Sequence, residues 1–314
     1  MNILVISGFL GAGKTTFIRA LMKHTGKDLA IFENEYGAAG IDGEILKKET
    51  DAGELNIWEM TEGCICCSMK GDFAASVLTI ANTVDPECLI IEPTGVGFLS
   101  NIISNLQQIE YEKIHLLRPV TIVDGHSISR YSHEYSELYT DQLSSAGIIF
   151  VSKMEHADAA EKEKVRTTLE RLAPSSRVVT EHYSNMSPDE WTSLLETALD
   201  GKSIKKELPS VEGMPDAFTL AKAVMKAPEY LFIMLERLIR GEYGDIIRAK
   251  GVISIGSAKY RFDVADGTYA ITGADPKAEN QVVFIGKDIQ RQSLRRNFFE
   301  RARRVLREKR PSAD

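Results

Sequence analysis

The chain of 314 residues is long for one compact core, which favours two domains. Its formal net charge of −7 argues against general nucleic-acid binding, and no run of about 18 apolar residues predicts a membrane span. Three of the four cysteines are crowded into residues 64–67, unlike a secreted disulfide framework. We therefore expect a cytoplasmic protein in a reducing compartment, with neither nucleic acid nor membrane as a partner.

Short Val- and Ile-rich runs alternate with helical patterns over residues 1–200. This alternation predicts an α/β domain in which a parallel sheet is flanked by helices. The predicted strands are residues 3–7, 29–33, 88–92, 119–123, 147–151 and 177–180. The predicted helices are residues 15–23, 68–83, 136–145, 159–172 and 189–199, the last with Ser187 as its N-cap and Pro188 at its first position.

The first predicted strand runs directly into a glycine-rich segment, GFLGAGKT at residues 8–15, and a helix follows. Glycines let backbone N–H groups curl around a phosphate, and the positive end of the following helix faces it. Lys14 can then bridge the β- and γ-phosphates, while the Thr15 hydroxyl ligates Mg²⁺. The spacing predicts a P-loop site for a nucleoside triphosphate. Its predicted binding residues are Gly8, Gly11, Ala12, Gly13, Lys14, Thr15 and Thr16. Since cleavage would destroy this loop, we expect no removable signal peptide.

The composition changes to Gly, Lys, Ser, Pro and Glu at residues 201–215, which predicts a linker between domains at 1–200 and 216–314. The second domain has a helical pattern at 229–240 and alternating segments at 251–257, 259–264, 267–272 and 281–286. Asp266-Gly267 between two such segments predicts a hairpin. We predict a smaller α+β domain with an antiparallel sheet, closed by a basic helix at 291–309. A solvated face is favoured for its basic residues over a nucleic-acid or lipid patch.

Cys64, Cys66 and Cys67 form the second cluster with evident chemistry. Thiolates at this spacing can bind one small ion, and they favour Zn²⁺, Cu⁺ or an iron–sulfur centre over Mg²⁺. Three protein ligands leave a fourth tetrahedral position open, which suits a site that passes metal on. A buried cysteine-rich turn and a redox dithiol remain the alternatives, since Cys64 and Cys67 also have dithiol spacing.

Taken together, these motifs resemble the CobW-type metal-chaperone GTPases, relatives of the HypB and UreG GTPases that insert nickel into hydrogenase and urease. The resemblance covers nearly the whole chain. It rests on GFLGAGKTT at 8–16, ENEYG at 33–37, GCICC at 63–67, EPTG at 92–95, RAKG at 248–251 and VVFIGKDI at 282–289. It implies a P-loop GTPase domain followed by a CobW-like C-terminal domain, in which RAKG packs the small sheet or engages a partner.

The resemblance also assigns roles around the phosphates. Glu33 would belong to the first switch segment, where a carboxylate can hold metal-bound water or the attacking water. Glu92 would steady the Mg²⁺ shell, and Gly95 would contact the γ-phosphate in the second switch segment. Asp124, at the end of the next strand, is a further candidate for the Mg²⁺ shell. The implied catalytic residues are Lys14, Thr15, Glu33 and Glu92.

The base-recognition segment departs from the family pattern. The chain has Ser152-Lys153-Met154-Glu155 where the family has Asn-Lys-x-Asp. Glu155 offers the same two acceptors to the N1–H and N2–H₂ of guanine on a longer arm, and the stem of Lys153 can lie along the base. Ser152 supplies one hydrogen bond where Asn supplies two. We expect GTP and GDP as ligands, with weakened selectivity over ATP.

The family resemblance predicts a slow GTPase that binds a transition metal at Cys64, Cys66 and Cys67, with Mg²⁺ on Thr15. Ligand softness favours zinc, and the family's link to cobalamin keeps cobalt open. The expected partner is an apo-metalloprotein or a cobalamin-related client, and a homodimer remains open. The alternative is a non-catalytic, nucleotide-stabilised protein that docks on a metal- or corrinoid-dependent enzyme. A small-molecule kinase ranks last, because it leaves the cysteines without a role.

Overall fold

A computed structural model describes residues 1–27, 29–34, 56–60, 70–199 and 215–298. These residues fall into two units, which meet in sequence between residues 199 and 215. The predicted linker at 201–215 lies outside the described residues except for Pro215, so its bounds stay a prediction. Of the helices in the described ranges, none is both long and apolar enough to cross a lipid bilayer.

The first unit is built on a parallel sheet. Its strands are β1 (Asn2–Ser7), β2 (Leu29–Asn34), β3 (Asn56–Met60), β4 (Cys88–Glu92), β5 (His115–Leu116), β6 (Val120–Asp124), β7 (Ile148–Ser152) and β8 (Arg177–Val179). Within the described residues the strand order is β3-β2-β4-β1-β6-β7-β8, and β5 pairs with β1. Every one of these pairings is parallel, which confirms the predicted α/β sheet.

Helices cover both faces of this sheet. They are α1 (Lys14–Thr25), α2 (Lys70–Thr83), α3 (Leu99–Gln107), α4 (Ile128–Glu134), α5 (Ser136–Ser144), α6 (Ala159–Leu172) and α7 (Pro188–Leu194). Alternate residues of β1 enter two different cores. Leu4 packs in a cluster with Phe17 of α1 and Trp191 of α7, whereas Val5 packs in another with Ile102 of α3. Burial on both sides explains why the strands are continuous apolar runs.

The structure corrects several predicted elements of this unit. Strands β3 and β5 and helices α3 and α4 were not predicted. Helix α7 begins as predicted, with a capping box between Ser187 and Glu190, but it ends at Leu194 instead of residue 199. The Leu195 N–H closes the last turn on Thr192, and the Leu199 N–H then bonds to the carbonyl oxygen of Leu116 in β5. The residues after α7 therefore bond to β5 and the residue that follows it instead of continuing the helix.

The second unit has a six-stranded sheet within the described residues. Its strands are β9 (Asp216–Ala221), β10 (Val224–Met225), β11 (Asp245–Ile255), β12 (Ala258–Ala265), β13 (Thr268–Gly273) and β14 (Gln281–Lys287), and its helices are α8 (Pro228–Ile239) and α9 (Arg291–Phe298). The order β13-β12-β11-β14-β9 is antiparallel throughout, and β10 adds to β11 in parallel. Leu235 of α8 and Leu294 of α9 share one apolar core with Phe262 and Phe284. The predicted α+β domain is thus confirmed.

Two local predictions in this unit have clear physical causes. Asp266 and Gly267 both have positive φ, 50° and 69°, as a two-residue type I′ hairpin requires. In the RAKG segment, a Cβ on Gly251 would lie 2.4 Å from the Gln281 carbonyl oxygen of β14. Arg248 pairs with Asp263 across β11 and β12 at 2.7 Å. These contacts support the sheet-packing interpretation of RAKG.

Candidate nucleotide site

The candidate site lies at the carboxyl edge of the parallel sheet. The register pairs Glu33 of β2 with Glu92 of β4, and Asp124 of β6 with Ser152 of β7. Glu92, Asp124 and Ser152 are the last residues of their strands and Glu33 is the last but one, so all four lie at one edge, where β1 also leads into the glycine-rich loop. Open parallel sheets bind ligands at this edge.

The glycine-rich loop adopts a backbone that few other residues could follow. Gly8, Gly11 and Gly13 have φ values of 145°, 74° and 97°. A Cβ on Gly8 would lie 2.3 Å from the Ile122 carbonyl oxygen of β6. Gly13 is the N-cap of α1 and provides no side-chain cap, so the helix N-terminus keeps N–H groups for an anion. The loop thus forms the concave turn that phosphate binding requires.

Lys14, Thr15 and Glu92 converge beside this loop. The buried Lys14 donates from Nζ to the Gly8 carbonyl oxygen at 3.1 Å, and Nζ lies 3.9 Å from Glu92 Oε1. The Thr15 hydroxyl lies 3.4 Å and 3.5 Å from the two carboxylate oxygens of Glu92. A hydroxyl and a carboxylate at this separation form the oxygen-rich donor set that Mg²⁺ prefers. The residues present therefore fit Mg²⁺ bound with a triphosphate.

The other predicted phosphate-side residues flank this centre. Glu33 is buried, 6% exposed, and is the β2 neighbour of Glu92. Thr16 is exposed on the first turn of α1. A Cβ on Gly95 would lie 2.7 Å from the Leu10 backbone nitrogen, so the segment after Glu92 packs directly against the glycine-rich loop. Residues 35–37 of the predicted first switch segment lie outside the described residues.

Two supporting contacts escaped the sequence analysis. Gln142 of α5, 1% exposed, donates from Nε2 to the carbonyl oxygens of Gly95 and Gly97 at 3.1 Å and 2.9 Å. On the same helix, Asp141 accepts a 3.1 Å hydrogen bond from the Ser100 N–H. A buried glutamine that satisfies two carbonyls fixes the shape of a loop. Helix α5 therefore holds the end of the predicted second switch segment and the residues that follow it.

Three tyrosine rings pack against Phe9 of the glycine-rich loop. The Phe9 ring lies 4.1 Å from that of Tyr131 and 5.2 Å from that of Tyr135, between centroids, and 6.2 Å from that of Tyr139. Burial raises the pKa of the Tyr139 hydroxyl, and the nearby charge of Asp124 raises it further. The Tyr139 hydroxyl therefore stays protonated within this ring cluster. The periodicity of α4 and α5 did not show that their tyrosines meet a loop residue.

The predicted base-recognition segment is tied to the same loop. The Ser152 hydroxyl donates to the Ala12 carbonyl oxygen at 2.7 Å, and it also lies 3.2 Å from the Val123 carbonyl oxygen. Lys153 has a φ of 60°, and its Nζ lies 2.7 Å from Asp124 Oδ2. The structure thus joins Asp124 to Lys153, whereas the sequence suggested a place in the Mg²⁺ shell. Glu155 Oε1 lies 3.3 Å from Nε2 of His182, a residue that the sequence analysis did not select.

The predicted metal ligands Cys64, Cys66 and Cys67 lie outside the described residues. Among the residues that are described, no group of three His, Cys, Asp or Glu side chains is arranged to hold a metal ion. The fourth cysteine, Cys88, is buried in β4, and burial raises its pKa to about 12. Cys88 is therefore an unreactive core residue.

Two family models match this chain. The model of the CobW/HypB/UreG nucleotide-binding domain matches residues 2–180, and that of the cobalamin synthesis protein CobW C-terminal domain matches residues 217–301. The second match spans the unit with the antiparallel sheet. The first spans every strand of the parallel sheet and all the predicted nucleotide-site residues.

Similar characterised proteins are named as zinc chaperones. CobW of Pseudomonas aeruginosa is 27% identical over 210 residues, 58% of this chain and 56% of that protein. YeiR of Escherichia coli is 36% identical over 152 residues, 48% of this chain and 45% of that protein. This chain thus spans about half the length of these two relatives. YjiA of Escherichia coli is 22% identical over 317 residues, 94% of this chain and 97% of that protein.

Among solved structures, Zn(II)-bound YjiA GTPase from Escherichia coli matches with a TM-score of 0.47 and 18% identity, over 95% of this chain and 97% of that one.

Proposed function

Because the chain belongs to the CobW/HypB/UreG family, with a CobW C-terminal domain, we propose that it is a GTPase that carries a transition metal ion to a client. The observation that carries the nucleotide part is the convergence of Lys14, Thr15 and Glu92 beside the positive-φ glycine loop. These three groups supply a cation, a hydroxyl and a carboxylate at the place where the β- and γ-phosphates of a P-loop ligand belong.

In this proposal, each side chain has one task in hydrolysis. The N–H groups of residues 11–16 bind the phosphates, and Lys14 offsets their negative charge. Thr15 and Glu92 would hold Mg²⁺, which when bound would supply positive charge that stabilises the transferring phosphoryl group. Glu33 takes the proton of the water that attacks the γ-phosphorus, while the bond from that phosphorus to the β–γ bridging oxygen breaks. The products are GDP and inorganic phosphate.

The proposed turnover is slow. Many GTPases gain several orders of magnitude from an arginine that contacts the transferring phosphate. None of the segments at 8–16, 33–37, 63–67 and 92–95 contains an arginine. A client protein or a second subunit would supply such a group, which would link fast hydrolysis to partner binding.

The proposed cargo is Zn²⁺, held by the thiolates of Cys64, Cys66 and Cys67. The names of the relatives from Pseudomonas aeruginosa and Escherichia coli support zinc, and so does the softness of three sulfur ligands. Cobalt is the second candidate. In sequence the cysteines lie between the two predicted switch segments, so a change of nucleotide can alter their arrangement. The proposed receiver is an apo-metalloprotein or a cobalamin-related enzyme.

The direct test uses the purified chain with three measurements. Phosphate release from GTP and from ATP is compared with that of the Lys14→Ala variant, and bound zinc and cobalt are measured with and without the triple change of Cys64, Cys66 and Cys67 to Ser. The proposal predicts GTP-dependent release that Lys14→Ala abolishes, and one bound ion that the triple variant loses.

A different outcome would favour the second function. Equal phosphate release by wild type and Lys14→Ala would support a nucleotide-stabilised docking protein. The departure at Ser152 and Glu155 from the family's base-recognition pattern is the observation that favours this alternative. Unchanged metal content in the triple cysteine variant would remove the cargo site.

A further inference from the structure

His182 and Glu155 meet although they are 27 residues apart in sequence. His182 follows β8, and Glu155 follows β7, the neighbouring parallel strand. His182 Nε2 lies 3.3 Å from Glu155 Oε1. The histidine side chain is 28% exposed and the glutamate side chain 47%, so the pair lies at the surface of the carboxyl edge.

The hydrogen bonds of the imidazole determine which ring nitrogen carries its hydrogen. The backbone N–H of Ser184 donates to His182 Nδ1 at 3.2 Å, and the Ser184 hydroxyl lies 2.7 Å from the same atom. A backbone N–H can only donate, so Nδ1 is an acceptor and carries no hydrogen. The neutral imidazole therefore carries its hydrogen on Nε2, which is the atom beside Glu155.

The imidazole is held in this orientation by the core. His182 is the N-cap of the 3₁₀ turn Tyr183–Asn185, and its ring centroid lies 4.2 Å from that of Tyr183. The Tyr183 ring packs against Phe17 of α1 at 5.2 Å and against Trp191 of α7 at 6.1 Å. Burial raises the pKa of the Tyr183 hydroxyl, and the charge of Glu155 raises it further, which agrees with their proximity.

We propose that His182 is a positioning residue that holds the Glu155 carboxylate in place to read the guanine base. This inference rests on the proposed function, in which Glu155 accepts hydrogen bonds from guanine N1–H and N2–H₂. Glutamate has one more rotatable bond than the aspartate of the family pattern, and fixing it costs more conformational entropy. The contact with the His182 imidazole, whose orientation the core fixes, restricts that freedom before the base arrives. Each carboxylate oxygen accepts two hydrogen bonds, so the carboxylate keeps capacity for the base.

The test compares two substitutions of the same residue. His182→Asn keeps a side-chain oxygen that can accept from the Ser184 N–H, since Asn forms this local turn readily, but its side chain is too short to reach Glu155. His182→Ala loses both contacts. Glu181→Gln is the matched control, because Glu181 is the adjacent exposed carboxylate and pairs with Lys162 at 3.6 Å. Affinities for GDP and ADP are measured by calorimetry for the full chain, together with the thermal unfolding of each nucleotide-free variant.

We expect His182→Asn to weaken GDP binding about tenfold with ADP binding unchanged, so that the GDP-to-ADP ratio falls by the same factor. His182→Ala should lower the ratio equally, and Glu181→Gln should leave it within twofold of wild type. An unchanged ratio in His182→Asn, or an equal loss of GDP and ADP affinity, would overturn the positioning role.

A second comparison separates failure of this inference from failure of the proposed function. Glu155→Gln replaces one acceptor with an amide donor, which should abolish the preference for GDP over ADP and favour xanthosine diphosphate, whose C2 carries a carbonyl. In the double variant, His182→Asn should have no further effect, because it acts through Glu155. If Glu155→Gln alters the ratio and His182→Asn does not, the positioning role fails while guanine recognition stands. If Glu155→Gln leaves the ratio unchanged, both fail.

Discussion

The Ser152 hydroxyl donates a 2.7 Å hydrogen bond to the carbonyl oxygen of Ala12, across 140 residues of sequence. Ala12 lies in the glycine-rich loop, and Ser152 is the last residue of β7. The segment proposed to read the base is therefore fastened to the loop proposed to hold the phosphates. Ser152 departs from the family's Asn-Lys-x-Asp pattern, and its hydroxyl is engaged by this hydrogen bond. In the proposed function, recognition of the base therefore falls to Lys153 and Glu155.

Ser152→Ala should weaken the binding of every nucleotide alike. The change leaves the buried Ala12 carbonyl without its donor, which raises the free energy of the loop conformation by about 1 kcal/mol. Because nucleotide binding is proposed to need this conformation, affinity should fall about fivefold. Calorimetry with GDP and ADP should show equal losses. Ser193→Ala, which removes an exposed hydroxyl from α7, is the control and should change neither affinity. A loss confined to GDP would mean that Ser152 contacts the base instead of the loop.

Gly95→Ala should destabilise the chain and impair hydrolysis. The new Cβ would lie 2.7 Å from the Leu10 nitrogen, so backbone has to move in the glycine-rich loop, at a cost of about 1–3 kcal/mol. The unfolding temperature of the nucleotide-free chain should fall, and so should the rate of phosphate release from GTP. Gly273→Ala is the matched control, because its Cβ meets no heavy atom within 4 Å in the described part of the chain. Its free energy of unfolding should stay within about 0.5 kcal/mol of that of wild type. Equal behaviour of the two variants would contradict this prediction.

Gln142→Leu should slow GTP hydrolysis more than it weakens GDP binding. The variant removes the donor to the Gly95 and Gly97 carbonyls, so the segment after Glu92 is no longer held in one shape. The free energy of unfolding should fall by about 1–3 kcal/mol. The glycine-rich loop itself keeps its contacts with β6 and α1. Single-turnover phosphate release and GDP calorimetry separate the two effects. The same change at the exposed Gln292 of α9 serves as control, and a parallel loss of hydrolysis and GDP binding would count against a role for α5 in the switch segment.

Cys88 should resist thiol reagents that label the other three cysteines. Burial raises its pKa to about 12, so at pH 8 it stays a protonated thiol and a poor nucleophile. Mass spectrometry after alkylation should show three labels on the metal-free chain, with the fourth added only after unfolding. Zn²⁺ should slow the labelling of Cys64, Cys66 and Cys67. Fast labelling of Cys88, or labelling of the trio that ignores Zn²⁺, would contradict the account.

The elements with local signals were predictable from the sequence. Glycine spacing predicted the turn before α1, Ser187 and Pro188 predicted the start of α7, and Asp266-Gly267 predicted a hairpin. Helix α3 was missed because its N-cap, Phe98, provides no side-chain hydrogen bond and the helix contains Ser, Asn and β-branched Ile. It forms because Ile102, Ile103 and Leu106 are buried against the sheet, and tertiary packing overrides the weak propensity.

The candidate site likewise contains residues that local motifs predict and residues that no local pattern predicts. Lys14, Thr15 and Glu92 belong to short motifs with known spacing, so the sequence could propose them. Gln142 and His182 act on partners 47 and 27 residues away, and no local pattern encodes those pairings. Gly95 follows β4 and Gln142 lies between β6 and β7, whereas Glu155 and His182 follow β7 and β8. Only the order β4-β1-β6-β7-β8 of the sheet brings these pairs together.

The central claim is that one chain couples guanine nucleotide state to metal affinity. Zn²⁺ affinity should therefore be measured by competition with a chromophoric chelator, in GDP and in a non-hydrolysable GTP analogue, with the triple cysteine variant as control. The account predicts Zn²⁺ binding at least about tenfold tighter with the analogue, since the γ-phosphate orders the switch segments that flank the cysteines. Affinities that agree within twofold in the two nucleotide states would contradict it.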